Sequence, residues 1–228
     1  ISKMKGGNYD LGIVVDPDVD RLCFISEDGT PFGEEYTLVA VAEYVLSVKP
    51  GNTVSNLSST RALADVTRKA GGDYFAAAVG EVNVVTQMKA VNAIIGGEGN
   101  GGVIFPESHY GRDSLVGIGL FLTHLANKGI KASELRASYP AYVISKNKIE
   151  LSADLNVDLI LATVAEKYKN ENVNTIDGVK IDFPDRWVHL RKSNTEPIIR
   201  IYAEASSEAE ADTLAQQIIH VIEEIAKV

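Results

Sequence analysis

The feature that most constrains the fold is a regular alternation of short apolar runs and amphipathic segments in the first 140 residues. The apolar, β-branched runs predict buried strands at 53–57, 74–79, 93–96 and 103–105. The segments with apolar residues at three- and four-residue spacing predict helices at 34–48, 60–70, 81–90 and 113–127. Strands that alternate with helices of this length favour an α/β domain with a largely parallel sheet.

The alternation of predicted strands and helices ends after Pro140, and we place a domain boundary between residues 137 and 145. Strands then follow one another closely, and the final helix begins at Ser207 with acidic residues in its first turn. This pattern predicts an α+β unit with strands at 142–150, 178–183, 187–191 and 198–205 and helices at 157–168 and after 207.

Composition excludes several classes of function. The net charge of −9 argues against nucleic acid as a partner, because phosphate backbones require clustered Lys and Arg. A single cysteine, Cys23, permits neither a disulfide framework nor a zinc cluster. No apolar run approaches the ~20 residues that span a bilayer, so we expect no membrane partner and a cytoplasmic location.

An acidic loop, Asp16-Pro17-Asp18-Val19-Asp20-Arg21, separates two predicted strands at 11–15 and 22–26. Carboxylates at alternating positions can converge on a hard cation, and the loop lacks the glycine and glutamate of a calcium EF-hand. We therefore predict a Mg²⁺ site formed by Asp16, Asp18 and Asp20, with Arg21 contacting the cluster or a phosphate. The alternative is a solvated acidic turn.

A glycine-rich loop, residues 96–102, follows the strand predicted at 93–96. Its five glycines are incompatible with a stable helix and would let a ligand approach the backbone. Glu98 and Asn100 are the residues of this loop whose side chains carry polar groups, and both can form hydrogen bonds with sugar hydroxyls. The alternative is a flexible hairpin loop without a ligand.

A third polar segment, residues 191–197, joins two predicted strands of the α+β unit, and Arg200 follows it. Arginine, hydroxyl and amide groups together with backbone N–H groups can form a phosphate cradle. The alternative is a polar turn with an internal salt bridge. The candidate phosphate-binding residues are Arg191, Ser193, Asn194, Thr195, Glu196 and Arg200.

These three segments, in this order, resemble the motifs of the α-D-phosphohexomutase family, which includes phosphoglucomutase/phosphomannomutase and phosphoglucosamine mutase. The acidic loop is similar to the family's D-G-D-G/A-D-R, the glycine-rich loop to G-E-x-S-G-H, and residues 191–197 to R-x-S-G/N-T-E-P. The departures are Pro17, Val19, Asn100 and Gly102, of which Gly102 stands where the family motif has histidine.

The resemblance implies an isomerase that moves a phosphoryl group between O1 and O6 of a hexose phosphate through a phosphoserine and a bisphosphate. It implies Mg²⁺ as cofactor and glucose, mannose or glucosamine phosphate as substrate. It also implies a three-layer α/β domain and a TATA-box-binding-protein-like α+β domain. The domains would be the tail of domain 2 at 1–33, domain 3 at 34–140 and domain 4 at 141–228.

The family's serine motif, T-x-S-H-N-P, has no counterpart in these residues, since Ser108-His109 continues with Tyr110. We therefore expect a C-terminal fragment that is inactive without the N-terminal domains of the same enzyme. His109, close to the glycine-rich loop, is a candidate to face the cleft. Two alternatives are a stand-alone sugar-phosphate binding module and a metal-dependent phosphatase with an aspartate nucleophile in the acidic loop.

Overall fold

The computed structural model describes residues 1–150, 152, 155–193 and 198–226. The chain forms two compact units, Ile1–Pro140 and Ala141–Val228, and each is described by itself. Among the helices that the structure describes, none combines the length and apolar character required to cross a membrane.

The first unit contains six helices and six strands, all within its fully described residues. The helices are α1 Ser2–Lys5, α2 Glu34–Val48, α3 Ala62–Lys69, α4 Glu81–Ala90, α5 Ser114–Lys128 and α6 Ala132–Ala137. The strands are β1 Leu11–Val15, β2 Leu22–Ser26, β3 Thr53–Asn56, β4 Tyr74–Ala77, β5 Ile95–Glu98 and β6 Gly102–Ile104. The short helices α1 and α6 were not predicted from the sequence pattern.

Two sheets form in this unit. Strands β1 and β2 make an antiparallel hairpin, and the larger sheet has the order β4-β3-β5-β6. Strand β3 runs parallel to both β4 and β5, whereas β6 is antiparallel to β5. The predicted α/β architecture with a largely parallel sheet is confirmed.

Helices cover both faces of the larger sheet. A Cβ added at Gly96 of β5 would meet Met88 of α4, and one added at Gly97 would meet Leu38 of α2. Because neighbouring residues of a strand point to opposite faces, α4 and α2 lie on opposite sides of the sheet. The unit is therefore a three-layer α/β/α structure, as the resemblance implied.

The second unit is a sheet with two helices. Strands β7 Val143–Glu150, β8 Asn172–Asn174, β9 Val179–Asp182, β10 Trp187–Lys192 and β11 Ile198–Ala205 are all antiparallel, in the order β7-β11-β10-β9-β8. Helices α7 Val157–Lys167 and α8 Glu208–Ala226 pack their apolar side chains against residues such as Leu190 and Ile201. The alternation along β10 places His189 and Arg191 on the opposite face. The predicted α+β unit is confirmed, with β8 as an additional strand.

Candidate functional site

The acidic loop is the turn of the β1–β2 hairpin. Val15 pairs with Leu22, so the six residues from Asp16 to Arg21 connect the strands. The Asp16 carboxylate accepts hydrogen bonds from the backbone N–H groups of Asp20 (3.2 Å) and Arg21 (3.1 Å) and from Arg21 Nε (2.7 Å). Desolvation pulls the pKa of Asp16 upward, but the hydrogen bonds from Arg21 outweigh it, and the pKa lies below its ordinary value.

The three predicted metal ligands lie together. One carboxylate oxygen from each of Asp16, Asp18 and Asp20 lies within 4.8 Å of the other two. Among the described residues, none donates a hydrogen bond to the buried Oδ1 of Asp20, and Arg21 Nε lies 3.6 Å away. A buried carboxylate oxygen without a donor, beside two further carboxylates, fits a hard divalent cation.

Val19 lies in the acidic loop with a backbone φ of 60°, in the left-handed region that a β-branched residue rarely adopts. Its N–H donates to the Asp16 carbonyl (3.1 Å), and its carbonyl accepts from Ser114 Oγ at the start of α5 (2.7 Å). Hydrogen bonds at its N–H and at its carbonyl therefore hold Val19 in a strained backbone conformation.

The glycine-rich loop packs against the acidic hairpin. Leu22 N donates to the Gly101 carbonyl (3.0 Å), and Gly101 has a φ of +86°. Apart from the exposed Asn100, residues 95–102 are buried, and atoms of the protein occupy the space beside their glycines. The chain itself therefore makes the close approach beside these glycines, and the approach of a ligand to their backbone stays a prediction.

Glu98 ends β5 at the carboxyl edge of the parallel strands, and only 5% of it is exposed. Its Oε1 accepts from Asn56 Nδ2 at the end of β3 (2.8 Å) and from Gly80 N after β4 (3.2 Å). Strand β4 lies on one side of β3 and strand β5 lies on the other, so the strand order reverses at β3. This edge is therefore a topological switch point. Such edges are the usual ligand sites of open α/β sheets.

Arg112 is a central residue of the site that the sequence analysis missed. Its guanidinium pairs with Asp20 Oδ2 (2.6 Å), Glu81 Oε2 (3.3 Å) and Glu98 Oε2 (3.6 Å). Glu81 begins helix α4, so Arg112 joins three segments distant in sequence. A position next to Asp113, the N-cap residue of α5, gave no local signal of this role.

A cleft of about 290 Å³ opens beside the acidic loop. Asp16, Arg21 and Asn100, all predicted site residues, line it together with Glu34 and Cys23. Burial, and then the charge of Glu34, raises the pKa of the Cys23 thiol, which makes it a poor nucleophile. The acidic loop and the tip of the glycine-rich loop thus share one cleft.

His109 is exposed, and its Nε2 lies 2.9 Å from the Asp113 carboxylate. It does not line the described cleft at the acidic loop. Its role in a larger site stays a prediction.

In the second unit, cationic side chains form a row across the sheet. Arg191 of β10 lies directly opposite Arg200 of β11, which in turn lies opposite Lys148 of β7. Directly opposed residues of antiparallel strands share a face, and like charges placed so are destabilising. Lys148 was not predicted. The row provides positive charge on the strands that flank the predicted phosphate-binding segment, residues 191–197.

Asp177 forms an ion pair with Arg191, one of these cationic side chains. Its carboxylate Oδ2 lies 2.9 Å from Arg191 Nε, and its backbone carbonyl accepts a hydrogen bond from His189 Nε2 (2.7 Å). Burial lowers the pKa of His189 to about 4, so the ring is neutral at pH 7. His189 therefore acts structurally, by fixing the turn that presents Asp177 to Arg191.

The structure describes only some of the remaining residues that were predicted to bind phosphate. Ser193 N donates to the Ile198 carbonyl (2.9 Å), which closes the loop between β10 and β11. Asn194, Thr195, Glu196 and Pro197 lie outside the described residues, so their predicted role stays a prediction.

Two protein-family models match the chain. The model described as "Phosphoglucomutase/phosphomannomutase, alpha/beta/alpha domain III" matches residues 33–142. The model described as "Phosphoglucomutase/phosphomannomutase, C-terminal domain" matches residues 146–221. The two matches follow one another in the order of the two compact units.

Curated relatives carry related names. A phosphoglucomutase/phosphomannomutase of Thermococcus kodakarensis is 37% identical over 227 residues, which covers 98% of this chain and 49% of the relative. A phosphoglucosamine/phosphogalactosamine mutase of Sulfurisphaera tokodaii is 35% identical over 228 residues, which covers 96% of this chain and 50% of the relative. The chain spans about half the length of the curated relatives it matches.

Solved structures share the fold. A phosphoglucomutase/phosphomannomutase family protein from Burkholderia thailandensis superposes with a TM-score of 0.83 at 28% identity, over 100% of this chain and 49% of that one. An Aspergillus fumigatus N-acetylphosphoglucosamine mutase, in complex with GlcNAc-6P and magnesium, superposes with a TM-score of 0.70 at 15% identity. That match covers 95% of this chain and 49% of the other.

Proposed function

This chain belongs to the phosphoglucomutase/phosphomannomutase family, and from that premise we propose that it serves a phosphohexomutase reaction. The reaction would move a phosphoryl group between O1 and O6 of a hexose phosphate. The observation that carries the proposal is the junction of the acidic and glycine-rich loops in one cleft, through Leu22 N and the Gly101 carbonyl. A metal loop and a sugar loop must be adjacent if they act on one sugar phosphate.

Asp16, Asp18 and Asp20 would hold Mg²⁺. Their clustered oxygens and the donor-free Asp20 Oδ1 support this assignment. Bound there, Mg²⁺ would neutralise charge on the transferring phosphoryl group. Arg21, which now pairs with Asp16, would add a second positive group at the same edge of the cleft.

Glu98 and Asn100 would bind the sugar. Glu98 is nearly buried and held by Asn56 and Gly80, so its carboxylate is oriented before a ligand arrives. Asn100 is exposed at the cleft, with its Oδ1 accepting from Gly102 N (3.1 Å), so its amide N–H₂ is turned outward for a hydroxyl.

The second unit would supply the clamp for the phosphate that does not react. Arg191 and Arg200 face each other across β10 and β11 and would bind its oxygens, with Ser193 and the loop residues 194–196 beside them. An anion between the two guanidinium groups would relieve their mutual repulsion. One clamp can serve both orientations of a hexose bisphosphate, because each end carries a phosphate.

The phosphoserine that donates and recovers the phosphoryl group would come from outside these 228 residues, since no T-x-S-H-N-P-like segment occurs in them. We therefore expect the purified chain to bind hexose phosphates without interconverting them. The names of the relatives support glucose, mannose or glucosamine phosphate as the substrate class.

Calorimetric titration tests the proposal. In the presence of excess Mg²⁺, the chain should bind glucosamine 6-phosphate and glucose 1-phosphate but not free glucose. Arg191→Met should weaken binding about tenfold or more. Arg68→Met, which removes the same charge from an exposed helical position, is the matched control. Equal binding of glucose and glucose phosphate, or no binding of either, would contradict the proposal.

A further inference from the structure

The guanidinium of Arg112 lies between the carboxylate assigned to the metal and the carboxylate assigned to the sugar. Its Nη2 is 2.6 Å from Asp20, and its Nη1 is 3.6 Å from Glu98. In a sugar phosphate, the oxygen that joins sugar to phosphorus lies between the ring and the phosphoryl group. A cationic group between the two carboxylates would therefore lie close to a phosphate bound at this place.

The space that Arg112 crosses is available only because residue 102 is glycine. A Cβ at Gly102 would come within 2.6 Å of Arg112 Cδ and 3.2 Å of Asn100 Oδ1. The departure from the family motif at this position is thus accompanied by a cationic side chain, from ten residues further along the chain, that packs against the glycine.

Backbone contacts hold Arg112 in place independently of its side chain. Its N–H donates to Glu81 Oε1 (3.0 Å), and it forms an isolated antiparallel bridge with Ile104. Only 20% of the side chain is exposed. Substitution at this position therefore removes the guanidinium without removing the contacts that position the segment.

The charge balance around Arg112 is unfavourable for the cation-free protein. The Arg112 guanidinium faces the carboxylates of Asp20, Glu81 and Glu98. Asp16 and Asp18 lie beyond Asp20, where the Arg21 guanidinium pairs with Asp16, so five carboxylates face two guanidinium groups. A divalent cation at the acidic loop would take over the neutralisation of Asp20. The Nη2 edge of Arg112 would then be available to a new acceptor.

We propose that Arg112 is a further substrate-binding residue, whose guanidinium contacts the phosphate of a hexose phosphate beside Asp20 of the acidic loop. The contact depends on the cation, because Arg112 neutralises Asp20 until a divalent ion replaces it. The inference rests on the proposed function, and it assigns to this chain a phosphate contact separate from Arg191 and Arg200.

The test measures two ligands by calorimetry on the full chain: Mn²⁺ alone, and glucosamine 6-phosphate at saturating Mn²⁺. Arg112→Met should tighten Mn²⁺ binding about threefold or more, because a positive charge leaves the cation's surroundings. The same variant should weaken glucosamine 6-phosphate binding about tenfold or more. Arg112→Lys should keep Mn²⁺ affinity near that of the unsubstituted chain and lose part of the sugar-phosphate affinity, since lysine lacks the planar fork.

Opposite effects on the two ligands separate this role from a structural one, because a damaged site would weaken both. Weaker Mn²⁺ binding by Arg112→Met, or unchanged sugar-phosphate binding, would overturn the inference and leave the proposed function standing. Failure of the unsubstituted chain to bind glucosamine 6-phosphate would overturn both. Arg68→Met should leave both affinities unchanged, and circular dichroism of each variant checks its folding.

Discussion

A Cβ added at Gly101 would lie 2.2 Å from the Leu22 carbonyl oxygen, closer than any non-bonded carbon and oxygen can approach. The same two residues share a hydrogen bond from Leu22 N to the Gly101 carbonyl (3.0 Å). The glycine-rich loop is therefore fastened to the acidic hairpin at a point where only glycine fits. The relative position of the predicted metal and sugar residues depends on this contact.

Gly101→Ala should destabilise the chain by about 3 kcal/mol or more, because a steric clash adds to the strain of a positive φ. Gly71→Ala is the matched control, since Gly71 has a similar φ of +80° but nothing within 4 Å of an added Cβ. Its cost should be about 1–2 kcal/mol from strain alone. Urea unfolding of both variants checks this, and equal losses would show that the packing at Leu22 is unimportant.

Val19→Gly should stabilise the chain by about 0.5–1 kcal/mol, because relief of left-handed strain exceeds the entropic cost of glycine. The matched control is Val82→Gly, at an exposed position of helix α4, which should cost about 0.5 kcal/mol. Thermal unfolding measures both. A loss of stability in Val19→Gly would mean that the strain inferred from the φ of 60° is compensated within the acidic loop.

Glu43 should make part of the stability dependent on pH. Hydrogen bonds from His124 (2.8 Å), then Tyr139 (2.7 Å) and Lys128 (3.2 Å), outweigh partial burial and lower the pKa of Glu43 from 4.5 to about 2. A lowered folded-state pKa contributes stability above the unfolded-state value and loses it as pH falls through the folded-state value.

The comparison of the unsubstituted chain with Glu43→Gln tests this linkage. The difference between their urea midpoints should be constant above about pH 5 and shrink as pH falls from 4.5 towards 2. A difference that stays constant through this window would show that the Glu43 carboxylate has no lowered pKa.

Arg200→Met should raise the melting temperature in phosphate-free buffer, because it removes a like charge directly opposite Arg191 and adjacent to Lys148. Added inorganic phosphate should then stabilise the unsubstituted chain more than the variant, since binding to the folded state shifts unfolding by mass action. Lys167→Met, at an exposed position of helix α7, is the charge-matched control. Equal phosphate-induced shifts in all three proteins would argue against an anion site at this row.

Sequence patterns predicted the strands and helices whose formation depends mainly on neighbouring residues. The acidic loop was correctly placed between two strands, since short β-branched runs flank it on both sides. Strand β8 was missed because Asn172–Asn174 is short and polar, and its pairing with β9 is what makes it a strand. Strand β5 runs two residues beyond the range predicted for it, because the glycines that weaken a strand locally are paired here with Gly102–Ile104.

The sequence predicted the site residues that lie together in one short segment. It did not predict those that packing brings together from distant segments. Arg112 meets Asp20 and Glu98 only after β5, β6 and the hairpin have assembled. The burial of Glu98 is likewise unpredictable from its neighbours, since a buried carboxylate needs donors, here from Asn56 and Gly80.

Calorimetric titration of the chain and of Asp18→Asn with Mn²⁺ tests whether the acidic loop holds a divalent metal ion. Asp18 is exposed in the loop, so its isosteric amide removes one ligand charge with little effect on folding. Asp73→Asn, an exposed carboxylate outside the loop, is the control. We expect one Mn²⁺ per chain, an affinity about tenfold or more weaker in Asp18→Asn, and no change in Asp73→Asn. An absence of saturable binding, or equal affinities in all three proteins, would contradict it.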